Sequence, residues 1–201
     1  MTALGVGDAR VARPSLSRAI ADGLDTGHVL LVAGAGYGKT AALEEAIELG
    51  GARALWVACG ECAGEAVRLL LAVIDGLRAI VPGLADAVGD QLASGAEPVD
   101  AAAASGGLIA ELERFLVERV VIVLDDAEEL EQAAAALAFV ERLMNARRAP
   151  VSVALASRQP LPLKLAKLRA AGLLARGKKR IAINMQDGAR QGLEGKRRCH
   201  G

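Results

Sequence analysis

The sequence predicts an α/β fold of three layers, a parallel sheet with helices on both faces, and three observations carry the prediction. Short aliphatic runs alternate along the chain with segments of helical periodicity, the pattern of strand–helix–strand units. One of those runs, Val120-Val121-Ile122-Val123-Leu124, lacks the in–out alternation of a strand with one wet face, so it suits a strand buried on both sides. The chain of 201 residues is long enough for one such unit with a single core.

Taken in order, the first strand is expected at 28–33 and a helix at 39–49, ended by Gly50-Gly51. A second strand follows at 53–58, then helices at 63–80 and 83–92; Val67, Leu70, Leu71, Ile74 and Leu77 recur at helical spacing and read as a core stripe. Residues 93–105 carry little signal. A helix over 107–118 leads into a strand at 119–124, and a helix over 130–146 turns Leu137, Val140, Leu143 and Met144 inward before the strand at 151–156. Pro160 and Pro162 break the chain ahead of a short helix from about 163 to 173.

The first strand-to-helix junction reads Ala33-Gly34-Ala35-Gly36-Tyr37-Gly38-Lys39-Thr40, and this octapeptide narrows the chemistry most. Glycines at 34, 36 and 38 let successive backbone N–H groups face one concavity, and the positive end of the helix beginning near Lys39 adds to it, so a phosphate chain is stabilised there. Lys39 would reach the β- and γ-phosphates of a nucleoside triphosphate, and the Thr40 hydroxyl would ligate magnesium. Ala33 stands where the general motif has glycine, which is acceptable if the residue keeps a negative φ. The competing reading is an ordinary glycine-rich turn.

A phosphate-binding loop needs an acidic partner at the end of another buried strand. Asp125 and Asp126 supply it: Asp125 as the magnesium partner, Asp126 as the candidate general base that polarises the attacking water. The alternative is a solvated acidic turn, since Glu128, Glu129 and Glu131 follow. The strand at 151–156 ends in Ser157-Arg158, and a cation at the carboxyl end of such a sheet is placed to sense the γ-phosphate; a solvated loop arginine is the alternative.

These residues carry a family resemblance. Arg13-Pro14-Ser15-Leu16, the stretch Leu30 to Thr40, Ala54-Leu55-Trp56-Val57, Val123-Leu124-Asp125-Asp126, and Ala156-Ser157-Arg158 followed by Pro160-Leu161-Pro162-Leu163 and Leu168-Arg169 resemble the nucleotide-binding domain of STAND-class ATPases. Within that class the match is to the large LuxR-type transcription regulators related to the maltose-regulon activator, over residues 10–175. The resemblance implies a P-loop NTPase fold of the AAA-like (ASCE) kind with strand order 5-1-4-3-2. It also implies a switch that binds ATP with Mg2+, hydrolyses it slowly to reset, and self-associates when ATP-bound. By the same resemblance Arg13 and Pro14 lie near the adenine, Gly34, Ala35, Gly36, Tyr37, Gly38, Lys39 and Thr40 hold the nucleotide, Thr40 and Asp125 the metal, and Asp126, Lys39 and Arg158 act in catalysis. Three divisions follow: an arm and helix at 1–24 beside the adenine, the NTPase domain at 25–176, and a basic tail at 177–201.

Two departures qualify the resemblance. Gly34 occupies a position usually held by proline, which makes the free loop less pre-ordered. After Arg176 the chain does not show the expected run into a fifth strand and winged helix, so it reads as truncated ahead of winged-helix, sensor and DNA-binding domains, with an aberrant terminus of a shortened or frame-altered gene. A binding-only or inactive nucleotide-binding fragment, or a generic AAA-like module, is the alternative; the base-reading motif of GTPases is absent.

A net charge of zero hides an asymmetry. Residues 1–163 hold 13 Lys/Arg against 22 Asp/Glu, or −9, and residues 164–201 hold 11 against 2, or +9. Without aromatics or a helix-turn-helix pattern the basic end is expected to touch DNA non-specifically if at all, so no sequence-specific DNA binding by this chain is expected. No stretch approaches the roughly 18 apolar residues a membrane helix needs, and Met1–Arg10 lacks a signal pattern, so no membrane contact and a cytoplasmic location are expected. Cys59-Gly60-Glu61-Cys62 has the spacing of a zinc or redox pair but no second pair, and reads as part of a turn.

Overall fold

A computed structural model describes residues 13–62, 64–94, 100–146 and 148–164, together with the backbone of 182–184. The elements run α1 Pro14–Thr26, β1 Val29–Val32, α2 Lys39–Gly50, β2 Arg53–Ala58, α3 Ala66–Ile80, α4 Asp86–Ala93, α5 Ala101–Phe115, β3 Val120–Asp125, α6 Ala134–Asn145, β4 Val151–Ser157 and β5 Ala182–Asn184. The strands form one parallel sheet in the order β2-β3-β4-β1-β5, which from the other edge is 5-1-4-3-2.

The fifth position is filled. Ala182, Ile183 and Asn184 lie in parallel register with Leu30, Leu31 and Val32, so the fifth strand that the departure after Arg176 left in doubt is present. The signal was weak because Ala-Ile-Asn is three residues long and sits among lysines and arginines. The rest of the 177–201 tail, the arm at 1–12, Leu168-Arg169 and most of the helix expected at 163–173 lie outside the described residues; Leu163 and Lys164 are not helical.

Adjacent residues of the central strands serve opposite faces. Val120, Ile122 and Leu124 join Leu55, Val57, Val153 and Leu155 in a core packed under α3, α4, α5 and α6. Val121 and Val123 join Leu31, Ala154 and Ala156 in a second core under α1 and α2. Both faces are dry, which is why these strands show no alternation of polar and apolar residues. Each full burial of an aliphatic side chain here is worth about 1.5–3 kcal/mol.

Several boundaries differ from the sequence expectation for local reasons. A 3-10 turn at Cys59–Cys62 and a left-handed Gly64 (φ 72°) delay α3 to Ala66. A second 3-10 turn, Ala127–Leu130, delays α6 to Ala134. Helix α5 starts six residues early, at Ala101, because the Asp100 side chain accepts hydrogen bonds from the N–H groups of Ala102 (2.9 Å) and Ala103 (3.1 Å), and four alanines follow. The first strand, the helix after it and the strands at 53–58, 119–124 and 151–156 agree with expectation to within one or two residues.

The end of the sheet away from the strand C-termini is tied by buried polar groups. His28 Nδ1 accepts the N–H of Val153 (3.0 Å) and Nε2 donates to the carbonyl of Met144 (2.8 Å), so the ring is the neutral Nε2–H tautomer linking β4 to α6. Burial pushes its pKa below the ordinary 6.5. Ser152 Oγ donates to the carbonyl of Leu24 (2.6 Å), and Arg119 donates to both, which holds the end of α1 against the sheet.

Candidate functional site

The strand register brings the expected site residues to one edge. Leu30 pairs with Leu155 and Leu155 with Leu124, so the chain leaves β1, β4 and β3 at a common level, at Ala33, Arg158 and Asp126. The N–H of Ala33 donates to the carbonyl of Ser157 (3.1 Å), tying the start of the loop to the end of β4.

Gly36 (φ 75°) and Gly38 (φ 74°) are left-handed, and a Cβ built on either would meet nothing within 4 Å, so the backbone here borders open space. Ala33 is not among the residues with a left-handed backbone, so it meets the condition set for it. Helix α2 begins at Lys39, where its first N–H groups lack helical acceptors and its dipole is positive. Tyr37 is exposed.

Lys39 is buried, and its ammonium donates to the carbonyls of Ala33 (3.0 Å) and Gly34 (3.3 Å). The Thr40 hydroxyl donates to Asp125 Oδ2 at 2.7 Å, while Oδ1 accepts the N–H of Asp126 at 3.0 Å. Both carboxylate oxygens of Asp125 are therefore oriented, one by the loop-helix and one by its own strand end. A hydroxyl beside a carboxylate is a hard-oxygen donor pair, the kind magnesium takes with water completing its shell, so these residues fit that ion.

Asp126 adopts a left-handed conformation (φ 49°, ψ 43°), rare for a residue with a side chain. Arg158 faces it: Nη2 lies 3.5 Å from Asp126 Oδ1 and Nε 2.9 Å from Glu128 Oε1. The N–H of Arg158 donates to Glu128 Oε2 (2.9 Å), and Gln159 hydrogen-bonds Glu131. Glu128 is thus largely enclosed, its side chain 11% exposed against 50% for Asp126 and 56% for Arg158. It is the residue that sequence reasoning missed. The acids after Asp126 looked like a solvated run, and nothing local marks Glu128 as the partner of a residue 30 positions away.

Arg13 caps the start of α1 with its carbonyl, Pro14 is the first residue of that helix, and Ser17 Oγ donates to Glu45 Oε2 (2.8 Å) on α2, so the α1 start lies beside the helix that follows the loop. Cys59 and Cys62 are free thiols, both buried; burial above all pushes Cys59 up to about 12 and raises Cys62, so neither is a ready nucleophile. Among the described residues no group of three or more His, Cys, Asp or Glu could hold a metal, and no helix is long and apolar enough to cross a membrane.

Comparison with known proteins bears on the family and the fold. A search of curated proteins found no match. Among solved structures the chain is similar to the Orc1 protein of Aeropyrum pernix, solved in complex with DNA, with a TM-score of 0.51 and 18% identity over 82% of this chain and 43% of that one. At that identity the likeness speaks for the fold alone, and it spans less than half of Orc1. The model of the AAA domain family matches residues 23–165, from the end of α1 through β1, β2, β3 and β4 and the residues at their ends, and the chain belongs to that family.

Proposed function

We propose that the chain is an ATP-binding switch domain that hydrolyses its nucleotide slowly with Mg2+. The observation that carries this reading is the 2.7 Å hydrogen bond from Thr40 to Asp125, which joins the head of the phosphate-loop helix to the acid ending β3. Gly36 and Gly38 shape the loop, and the backbone N–H groups with Lys39 take the phosphates. Lys39 leaves two neutral carbonyls for a charged partner, an exchange that favours the phosphate. Magnesium, held by Thr40 and Asp125, would supply neutralisation of the phosphate charge. Asp126 orients the attacking water, Arg158 senses the γ-phosphate, and Arg13 and Pro14 border the base.

The test is calorimetric titration of Mg-ATP into wild type and Lys39→Ala, followed by a turnover assay. Tight binding by wild type and its loss in the variant support the reading, and equal affinities end it. A binding-only module is the second reading, and one observation favours it: the acid proposed to polarise water already has a guanidinium 3.5 Å away. Binding without turnover would select it.

The finer reading is the switch domain of a LuxR-type regulator of the STAND class. It rests on Arg13-Pro14, on Ser157-Arg158 and on Pro160-Leu161-Pro162-Leu163 in the expected order. In that reading ATP promotes self-association, and this chain alone reads no DNA sequence, because its sequence shows no helix-turn-helix pattern. Preferential retention of one promoter fragment over scrambled competitor in a gel shift would overturn the last point.

A further inference from the structure

We propose that Glu128 is the positioning residue for Arg158, holding its guanidinium so that the outer end can exchange Asp126 for the terminal phosphate of a bound nucleotide. The inference rests on the reading of the site as a nucleoside triphosphate site and deepens it. Glu128 lies in the 3-10 turn after Asp126, and one carboxylate grips Arg158 twice. Oε2 accepts the main-chain N–H (2.9 Å), fixing the loop that leaves β4, and Oε1 lies 2.9 Å from Nε, fixing the inner end of the guanidinium.

That grip leaves the outer nitrogens free to change partner. Nη2 makes the longer contact, 3.5 Å to a half-exposed Asp126, whereas Nε contacts an enclosed oxygen. Exposed ion pairs hold weakly, about 0–1 kcal/mol, and an enclosed carboxylate deprived of its cation is costly, so Arg158 gives up Asp126 before Glu128. Glu128 Oε1 is buried and has no aligned hydrogen bond despite its ion-pair contact, so a small turn of the guanidinium away from Asp126 can improve that contact. Asp126, freed of the guanidinium contact, then has that carboxylate oxygen open to a water as the phosphate arrives.

The experiment compares Mg-ATP and Mg-ADP affinity by calorimetry for wild type, Glu128→Gln, Arg158→Gln and the double variant, with Tm and steady-state kcat and KM. Glu128→Gln keeps the shape and the acceptor for the Arg158 N–H but removes the charge. The expected result is an approximately tenfold loss of Mg-ATP affinity, Mg-ADP affinity within about twofold of wild type, and no further loss in the double variant. Glu128→Asp, which restores the charge, recovers part of it.

Parallel loss of ATP and ADP affinity with a lowered Tm would make Glu128 merely structural, and additive losses would separate it from Arg158; either overturns the proposal. Should Glu128→Gln fail to fold, Arg158→Gln, at an exposed side chain, must still show the loss for ATP alone, and its absence overturns the proposal. Wild type that binds no Mg-ATP overturns the reading of the whole site. Wild type that binds, with a Glu128→Gln variant unchanged in its ATP-to-ADP ratio, overturns this inference by itself.

Discussion

The two sides of the site are held together by different forces. On the loop side, Lys39, Thr40 and Asp125 are fixed by short hydrogen bonds, to backbone carbonyls and between a neutral hydroxyl and a carboxylate, within a scaffold of strand ends and a helix start. On the other side, Asp126, Glu128 and Arg158 are fixed by ion pairs, two of the three side chains being half-exposed, and Asp126 holds a backbone conformation that costs energy. The first side is preorganised and the second is poised to rearrange. In the proposed function, binding falls to the rigid side, and sensing and turnover to the one that can change partner.

The sharpest way to test this division is to damage one side and read both functions. Asp126→Asn keeps a residue type that tolerates the left-handed conformation and removes the base. Turnover is expected to fall by about 100-fold or more while Mg-ATP affinity stays within about twofold, in paired turnover and calorimetric measurements. Unchanged turnover would reduce Asp126 to a turn residue. Lys39→Ala breaks the other side: affinity should fall by about 1.5–3 kcal/mol through loss of a charge-assisted contact, read by the same titration.

A perturbation remote from both sides supplies the control. His28 is neutral when folded and its pKa is lowered, so the unfolded chain takes up a proton first as the pH falls below 6.5. Its contribution to stability is therefore present above that value and is lost as the pH falls toward the folded-state pKa, with a slope of at most about 1.4 kcal/mol per pH unit. Denaturant unfolding across that range should show the dependence, and His28→Gln should flatten it. The smallest expected effect is that of salt. Raising it from about 0.1 to 1 M should weaken the half-exposed Arg158–Asp126 contact by a fraction of a kcal/mol and leave the Thr40–Asp125 bond nearly unaltered, as nitrogen and carboxyl chemical shifts would report.

The loop side was almost wholly legible in the sequence, because its information is local. Gly36, Gly38, Lys39 and Thr40 are contiguous in a strand–turn–helix context, and Asp125 ends an aliphatic run that can be little else than a buried strand. The ion-paired side was only half legible. Asp126 and Arg158 stood at strand ends and could be named, but Glu128 depends on a 3-10 turn and on a partner across the sheet. The start of α5 was missed because one capping aspartate, Asp100, decides it within an otherwise featureless stretch. The fifth strand stood in doubt because its three residues owe their place to the edge of β1 and not to a pattern of their own.

The glycines of the phosphate loop bear on how mutational tolerance is judged. At Gly89 an added methyl would lie 2.5 Å from the end of the Arg78 side chain, which can swing aside. At Gly36 and Gly38 the methyl would meet nothing, yet the backbone handedness rejects it. A tolerance map drawn from free volume would therefore be inverted here, ranking the two loop positions as permissive and the crowded helix position as closed. The open space beside the loop sets no limit on its sequence, and the restriction comes from chirality.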